Sequence, residues 1–235
     1  MSVSRNLADI ALEVIGTDAG TSNAGFGTGT LDSIASGGNY NTALGDSAGT
    51  AISTGDNNVA IGYQAGLAIT TGTDNIAIGY QSNKTASTGS CYNITIGSNS
   101  GDALTSGLHN IAMGANALGI ATSGCNNIAL GITAMGGADT SGNNNVAIGC
   151  QSSDALTSGV SNVAIGSCAL STATTGACNI AIGQSAIGGA DTTGGDNIAM
   201  GRDAADALTD GACNIAIGLN AYGSASGCLL YTSPR

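Results

Sequence analysis

Positive charge is almost missing from this sequence. Its 235 residues include four Lys and Arg against 15 Asp and Glu, a formal net charge of −11. The four cations, Arg5, Lys84, Arg202 and Arg235, are scattered. Phosphate neutralisation needs clustered Lys and Arg, so nucleic acid is not an expected partner. Charge of either sign is scarce at 8%, whereas hydrophobic residues reach 42%, the reverse of a disordered composition. Trp is absent and Phe occurs once, which leaves no material for a conventional aromatic-rich core. The apolar fraction is mostly Ala, Ile and Val, and suits thin, closely stacked layers.

Other shortages exclude chemistry. His109 is the only histidine, so neither a Ser–His–Asp nor a repeated Cys–His arrangement exists, and it reads as a solvated turn residue. The seven cysteines, Cys91, Cys125, Cys150, Cys168, Cys178, Cys213 and Cys228, form no CxxC pair and read as small filler residues. Asp102, Asp154 and Asp206 recur in one register but three layers apart, roughly 14 Å, too far for paired acid–base work. Gly136–Asp139 and Gly188–Asp191, both reading GGAD, lack the nine-residue period of calcium-binding glycine repeats. The expectation is no enzyme, no cofactor and no metal. No run approaches the ~18 apolar residues that cross a bilayer, so no membrane insertion is expected. The opening MSVSRNLADIALEVIG is broken by Asp9 and Glu13, unlike a secretory signal, which favours folding in a cytoplasm.

What is abundant is repetition. The motif N-[V/I]-A-[I/L/M]-G begins at Asn58, Asn75, Asn110, Asn127, Asn145, Asn162, Asn179, Asn197 and Asn214. Variants start at Asn23, Asn41 and Asn93, the last with Thr95 for Ala. From Asn23 the spacings run 18, 17, 17 and repeat, giving a 52-residue super-repeat. Connecting segments agree: Asp102-Ala103-Leu104-Thr105 returns at Asp154 and Asp206, and GGAD returns after the same interval. The chain grew by duplicating three-coil blocks.

Gly closing every motif would end a helix, and the apolar spacing is not helical. The five-residue run reads instead as a strand whose side chains alternate between faces. Residues 23–227 are thus predicted to be an all-β parallel solenoid of about 12 coils, each with room for two short strands and two turns. Stacked about 4.8 Å apart, the coils would rise roughly 55 Å. The Ala column, with a later Ala or Ser column opposite, suits a flat, narrow interior. The larger column is expected outside: Val59 and Ile61, Ile76 and Ile78, Ile94 and Ile96, Ile111 and Met113, Ile128 and Leu130. It continues through Val146 and Ile148, Val163 and Ile165, Ile180 and Ile182, Ile198 and Met200, and Ile215 and Ile217. Left in water this would be an apolar band of several hundred Å², about the limit for a monomer, so the stripe is the expected interface with further copies. The competing reading is a monomer whose wider coil encloses these aliphatics.

NNVAIGYQA at Asn57–Ala65 and SNVAIGSCA at Ser161–Ala169 resemble the YadA-like head repeat of trimeric autotransporter adhesins, with related repeats in phage tail fibres. The resemblance covers about residues 20–227. It implies a left-handed β-roll, trimerised lengthwise with the paired aliphatics near the three-fold axis. The implied role is a fibre shaft on a virion or cell surface that contributes to host attachment. Autotransporters add a long signal peptide, a coiled-coil stalk and a membrane anchor, which this sequence lacks, favouring the phage-fibre branch over a bacterial adhesin. A third reading is a solenoid that binds a regular surface such as ice through a ladder of Thr105, Thr122, Thr140 and Thr157; Asp210 interrupts the neighbouring column, and the extra residue in every third coil perturbs the segment.

The ends differ. Leu7, Ile10, Ala11, Val14 and Ile15 form one apolar face of a short helix over residues 5–15, within an N-terminal capping or attachment segment, 1–22. At the other end the next Asn is due at 231, where Tyr231 stands. The run Cys228–Arg235 resembles the translation of a common sequencing adaptor. Residues 228–235 are therefore expected to be non-native and unpaired, with the natural protein continuing into a host-binding or trimerising tip.

Overall fold

A computed structural model describes residues 20–34, 37–85 and 89–223, and the backbone of 230–232. The strands are β1 (Ala24–Phe26), β2 (Thr42–Leu44), β3 (Val59–Ile61), β4 (Ile76–Ile78), β5 (Ile94–Ile96) and β6 (Ile111–Met113). They continue as β7 (Ile128–Leu130), β8 (Val146–Ile148), β9 (Val163–Ile165), β10 (Ile180–Ile182), β11 (Ile198–Met200), β12 (Ile215–Ile217) and β13 (Leu230–Thr232). All lie in one sheet in chain order, each parallel to the strand one coil away. The register is the one the motif requires: Val59 opposite Ile76, Ala60 opposite Ala77, Ile61 opposite Ile78. The protein is a parallel β-solenoid, and no helix occurs among the described residues. The helix expected over residues 5–15 lies outside them.

Each coil contains one strand, not two. The stretch after the closing Gly places two left-handed residues one residue apart, as at Gln64 (φ 56°) and Gly66 (φ 58°), or Asn116 (φ 55°) and Leu118 (φ 49°). Such residues turn the chain too sharply for a second ladder of strands. Gly62, at φ 126°, also closes the strand by proximity, because a Cβ there would stand 2.5 Å from the carbonyl oxygen of Gly79. A glycine stands three residues before every motif Asn except Asn93, where Ser90 takes its place. Gly72 has no left-handed φ; its Cβ would lie 2.2 Å from the Ser90 carbonyl and 3.1 Å from Asn75 Nδ2. It is small to admit the asparagine.

The asparagines form a buried ladder. The Asn58 backbone N–H and side-chain Nδ2 both donate to Asn41 Oδ1, at 2.9 and 3.0 Å, and Nδ2 also donates to the Gly72 carbonyl of the next coil at 2.8 Å. The same set recurs at Asn145 and Asn162. Satisfied on every side, these amides avoid the cost of burial that an unpaired polar group carries.

The interior is not built from small residues alone. Most coils also bury one large aliphatic, in either of two places three residues apart. Gly49 pairs with Ile52, Gly66 with Ile69 and Gly101 with Leu104; Leu118 pairs instead with Ala121 and Leu170 with Ala173. A Cβ on Gly66 would already touch Ile69 Cδ1 at 3.0 Å, so a second large side chain there is crowded, although the first coil buries both Leu31 and Ile34. The coil leading into β5 departs. Thr95 replaces the inward Ala and is bonded by Ser82 Oγ at 2.8 Å, while buried Asn83 has no partner for either amide atom. The apolar core is divided there, one cluster ending at Ala77 and the next beginning at Leu104.

The C-terminal expectation is overturned in one respect. Leu230–Thr232 pairs with Ile215–Ile217 in parallel, with Tyr231 opposite Ala216. Its first residue comes 15 positions after Ile215, earlier than the 17- or 18-residue period provides. The free strand edge of the preceding coil accepts any extended backbone, because ladder hydrogen bonds do not depend on side-chain identity.

Candidate functional site

Every strand from β3 to β12 buries its central residue and exposes both neighbours in full or in part. Ala112 is 0% exposed and the adjacent Met113 41%; Ala216 is 1% exposed and Ile217 47%. A three-residue strand allows nothing else, since its first and third side chains share a face. The result is a continuous outward column: Val59 and Ile61 half-buried against neighbouring coils, Ile148 and Ile165 exposed, Ile78, Ile96 and Ile182 half-buried. None of the strand residues from β1 to β12 is charged. The aliphatics are therefore not enclosed within a wider coil.

Aromatic residues border the stripe and were not singled out by sequence reasoning. Tyr63 and Tyr80 follow the closing glycines of β3 and β4 and stack with ring centroids 5.6 Å apart. Tyr92 and His109 precede Asn93 and Asn110 and stack at 4.8 Å with nearly parallel rings. His109 is thus an exposed ring stacked on a tyrosine. The signal was available: identical columns one period apart place such residues over one another.

The recurring acids belong to the contacts between coils. A Cβ at Gly137 would lie 2.6 Å from the Asp154 carboxylate, and one at Gly189 2.3 Å from Asp206 Oδ1. The second glycine of GGAD therefore makes room for the aspartate of the next coil. The aspartate of GGAD serves the coil before it: Asp139 Oδ1 accepts from the Thr122 N–H and hydroxyl, both at 2.9 Å, and Asp191 Oδ1 likewise from Thr174. Burial pushes the Asp102, Asp154 and Asp206 carboxyls above the ordinary carboxylate value. The Lys84 charge opposes this at Asp102, and N–H groups of Gly137 and Gly189 oppose it at Asp154 and Asp206, where Asp203 adds repulsion. Among the described residues no group of three or more His, Cys, Asp and Glu could hold a metal ion.

The threonine ladder is broken. Thr140 is buried and donates to the Leu156 carbonyl at 2.8 Å, and Asp139 occupies the place expected for it. The hydroxyls of Thr105 and Thr157 donate to the carbonyls of Thr122 and Thr174. The extra residue of each 18-residue coil causes the break.

Against known proteins, no family model matches the chain, and no curated protein or solved structure shows significant similarity to it. Among the described residues no helix is long and apolar enough to cross a membrane.

Proposed function

We propose that the chain is the shaft of a homotrimeric fibre, a non-enzymatic part of a phage tail fibre or comparable surface fibre that contributes to host attachment. The observation that carries this reading is the outward Ile/Val stripe, uncharged through twelve strands of a molecule with a net charge of −11. Acidic side chains keep the other surfaces in water, while the stripe gains roughly 1.5–3 kcal/mol for each large aliphatic that a neighbouring copy fully covers. The resemblance of the N-V-A-I-G coils to YadA-like head repeats supplies three as the number of copies and a left-handed coil. Host recognition would fall to a tip beyond these repeats, because identical coils present identical surfaces. A bacterial adhesin would use the same shaft in the same way.

Light scattering on the full chain tests this. The expected mass is three times that of the 22.4 kDa chain. Ile148→Asp should yield monomers with unchanged circular dichroism, since an unpaired carboxylate repeated around the axis costs several kcal/mol, on the order of 3–5. Gln151→Asp, on an exposed turn, should leave the trimer intact. A wild-type monomer at micromolar concentration would overturn the reading.

A further inference from the structure

The geometry points to a covalent staple between two coils, a disulfide joining Cys150 to Cys168. Cys150 follows the closing glycine of β8, and Cys168 stands two residues after that of β9. The Cys168 N–H donates to the Cys150 carbonyl at 2.9 Å. Parallel coils lie about 4.8 Å apart, and Cys168 is offset by one residue from the position opposite Cys150, which puts the two Cα atoms roughly 6 Å apart, inside the roughly 4.4–6.8 Å window of a disulfide. The Cys168 sulfur leans toward the coil that carries Cys150. Its Sγ lies 3.9 Å from Gln151 Oε1 and 3.7 Å from Ser167 Oγ. Cys150 is exposed and Cys168 half-exposed, so both thiols can be reached.

The other described cysteines are placed differently. Cys91 and Cys125 share one column, and Cys178 and Cys213 another, each pair separated by a full intervening coil. That distance is roughly 9.6 Å, beyond a disulfide without movement of the backbone. Cys150 and Cys168 are thus the one described pair in adjacent coils with a backbone contact between them.

The chemistry balances with a small-molecule disulfide as oxidant, for example oxidised glutathione. The thiolate of Cys150, the more exposed, attacks one sulfur of the oxidant, breaks its S–S bond and releases one glutathione thiolate. The Cys168 thiolate then attacks the Cys150 sulfur of the mixed disulfide and releases the second. Two protein thiols lose two electrons and two protons, and the oxidant becomes two glutathione thiols. The bond closes a loop spanning one coil and forbids that coil from separating from its neighbour.

The test is incubation of the full chain with oxidised glutathione, alkylation, and mass spectrometry of non-reduced peptides. The expected product is one intrachain linkage between the peptides carrying Cys150 and Cys168, reversed by dithiothreitol, with Tm raised by about 5 °C. Cys168→Ser should stop at a glutathione adduct on Cys150. Full alkylation of both cysteines after oxidation, or linkage of either to another cysteine or another chain, would overturn the proposal.

Discussion

The carboxylate of Asp154 lies over the backbone of Gly137, one coil earlier, where a Cβ would stand 2.6 Å from its carboxylate carbon and oxygens. Gly189 and Asp206 repeat the relationship 52 residues later. Burial raises the Asp154 pKa, one of its oxygens has no partner, and the Gly137 N–H only partly offsets the loss of water. A raised folded-state pKa means that this group contributes its stability below its unfolded value, about 3.9, and loses it as pH rises through the folded value. Asp154→Asn should therefore raise Tm at pH 7 by ~1–3 °C, kept small by the carboxyl's remaining contact with solvent. The difference from wild type should shrink as pH falls toward 4. Thermal melts at both pH values check this, and an equal difference at both would refute it.

Gly137→Ala should be destabilising for the complementary reason, as the new methyl displaces the Asp154 carboxylate. Pairing it with Asp154→Gly should recover most of the loss. Denaturant titration of the single and double variants measures the coupling, and strictly additive effects would contradict the contact.

The asparagine ladder makes a sharper demand. Asn145 accepts the Asn162 backbone N–H and Nδ2, and donates to Asn127 Oδ1 and the Gly159 carbonyl. Asn145→Leu removes both roles and strands several buried groups, at ~1–3 kcal/mol for each. The expected result is loss of about 3–5 kcal/mol, or local unfolding of the coils around it. Urea unfolding followed by circular dichroism reads the change; a loss below 1 kcal/mol would show that the ladder contributes little.

Asn83 is the place where stability can be gained. Leu118, Met135, Leu170 and Ile187 fill the corresponding position in other coils, yet Asn83 puts an unpartnered amide there. Asn83→Leu should stabilise the protein by ~2–3 kcal/mol through apolar burial and removal of the amide. In the wild type, hydrogen exchange should be faster around Asn83 and Thr95, where polar side chains interrupt the apolar core between Ala77 and Leu104, than within the clusters on either side. Uniform exchange along the solenoid would argue against a weak junction.

The period, the strand positions and the inward and outward faces were legible in the sequence, because each depends on one residue and its copy a coil away. Ala60 and Ala77 had to meet once the 17-residue spacing was seen, and Val59 and Ile61 then had to share the opposite face. The exposed stripe followed from the same alternation. The extra residue of every third coil was expected to disturb the threonine column, but that Thr140 turns inward was not legible, because the sequence does not say which residue the insertion displaces. The tail was misjudged because backbone pairing tolerates side chains that fit no repeat.

Repetition along the chain thus determined the fold and its outward apolar face without reference to coordinates, since stacking identical coils leaves little freedom in register. What the tertiary structure alone decided was how each coil is filled and how unlike coils are joined. Whether Ile69 or Leu118 supplies the core, why Gly137 must lack a side chain, and why Cys168 meets Cys150 depend on volumes and distances between residues far apart in sequence. Close packing governs those choices, because a large side chain at one core place, such as Ile69, crowds a second at the other, such as a side chain on Gly66.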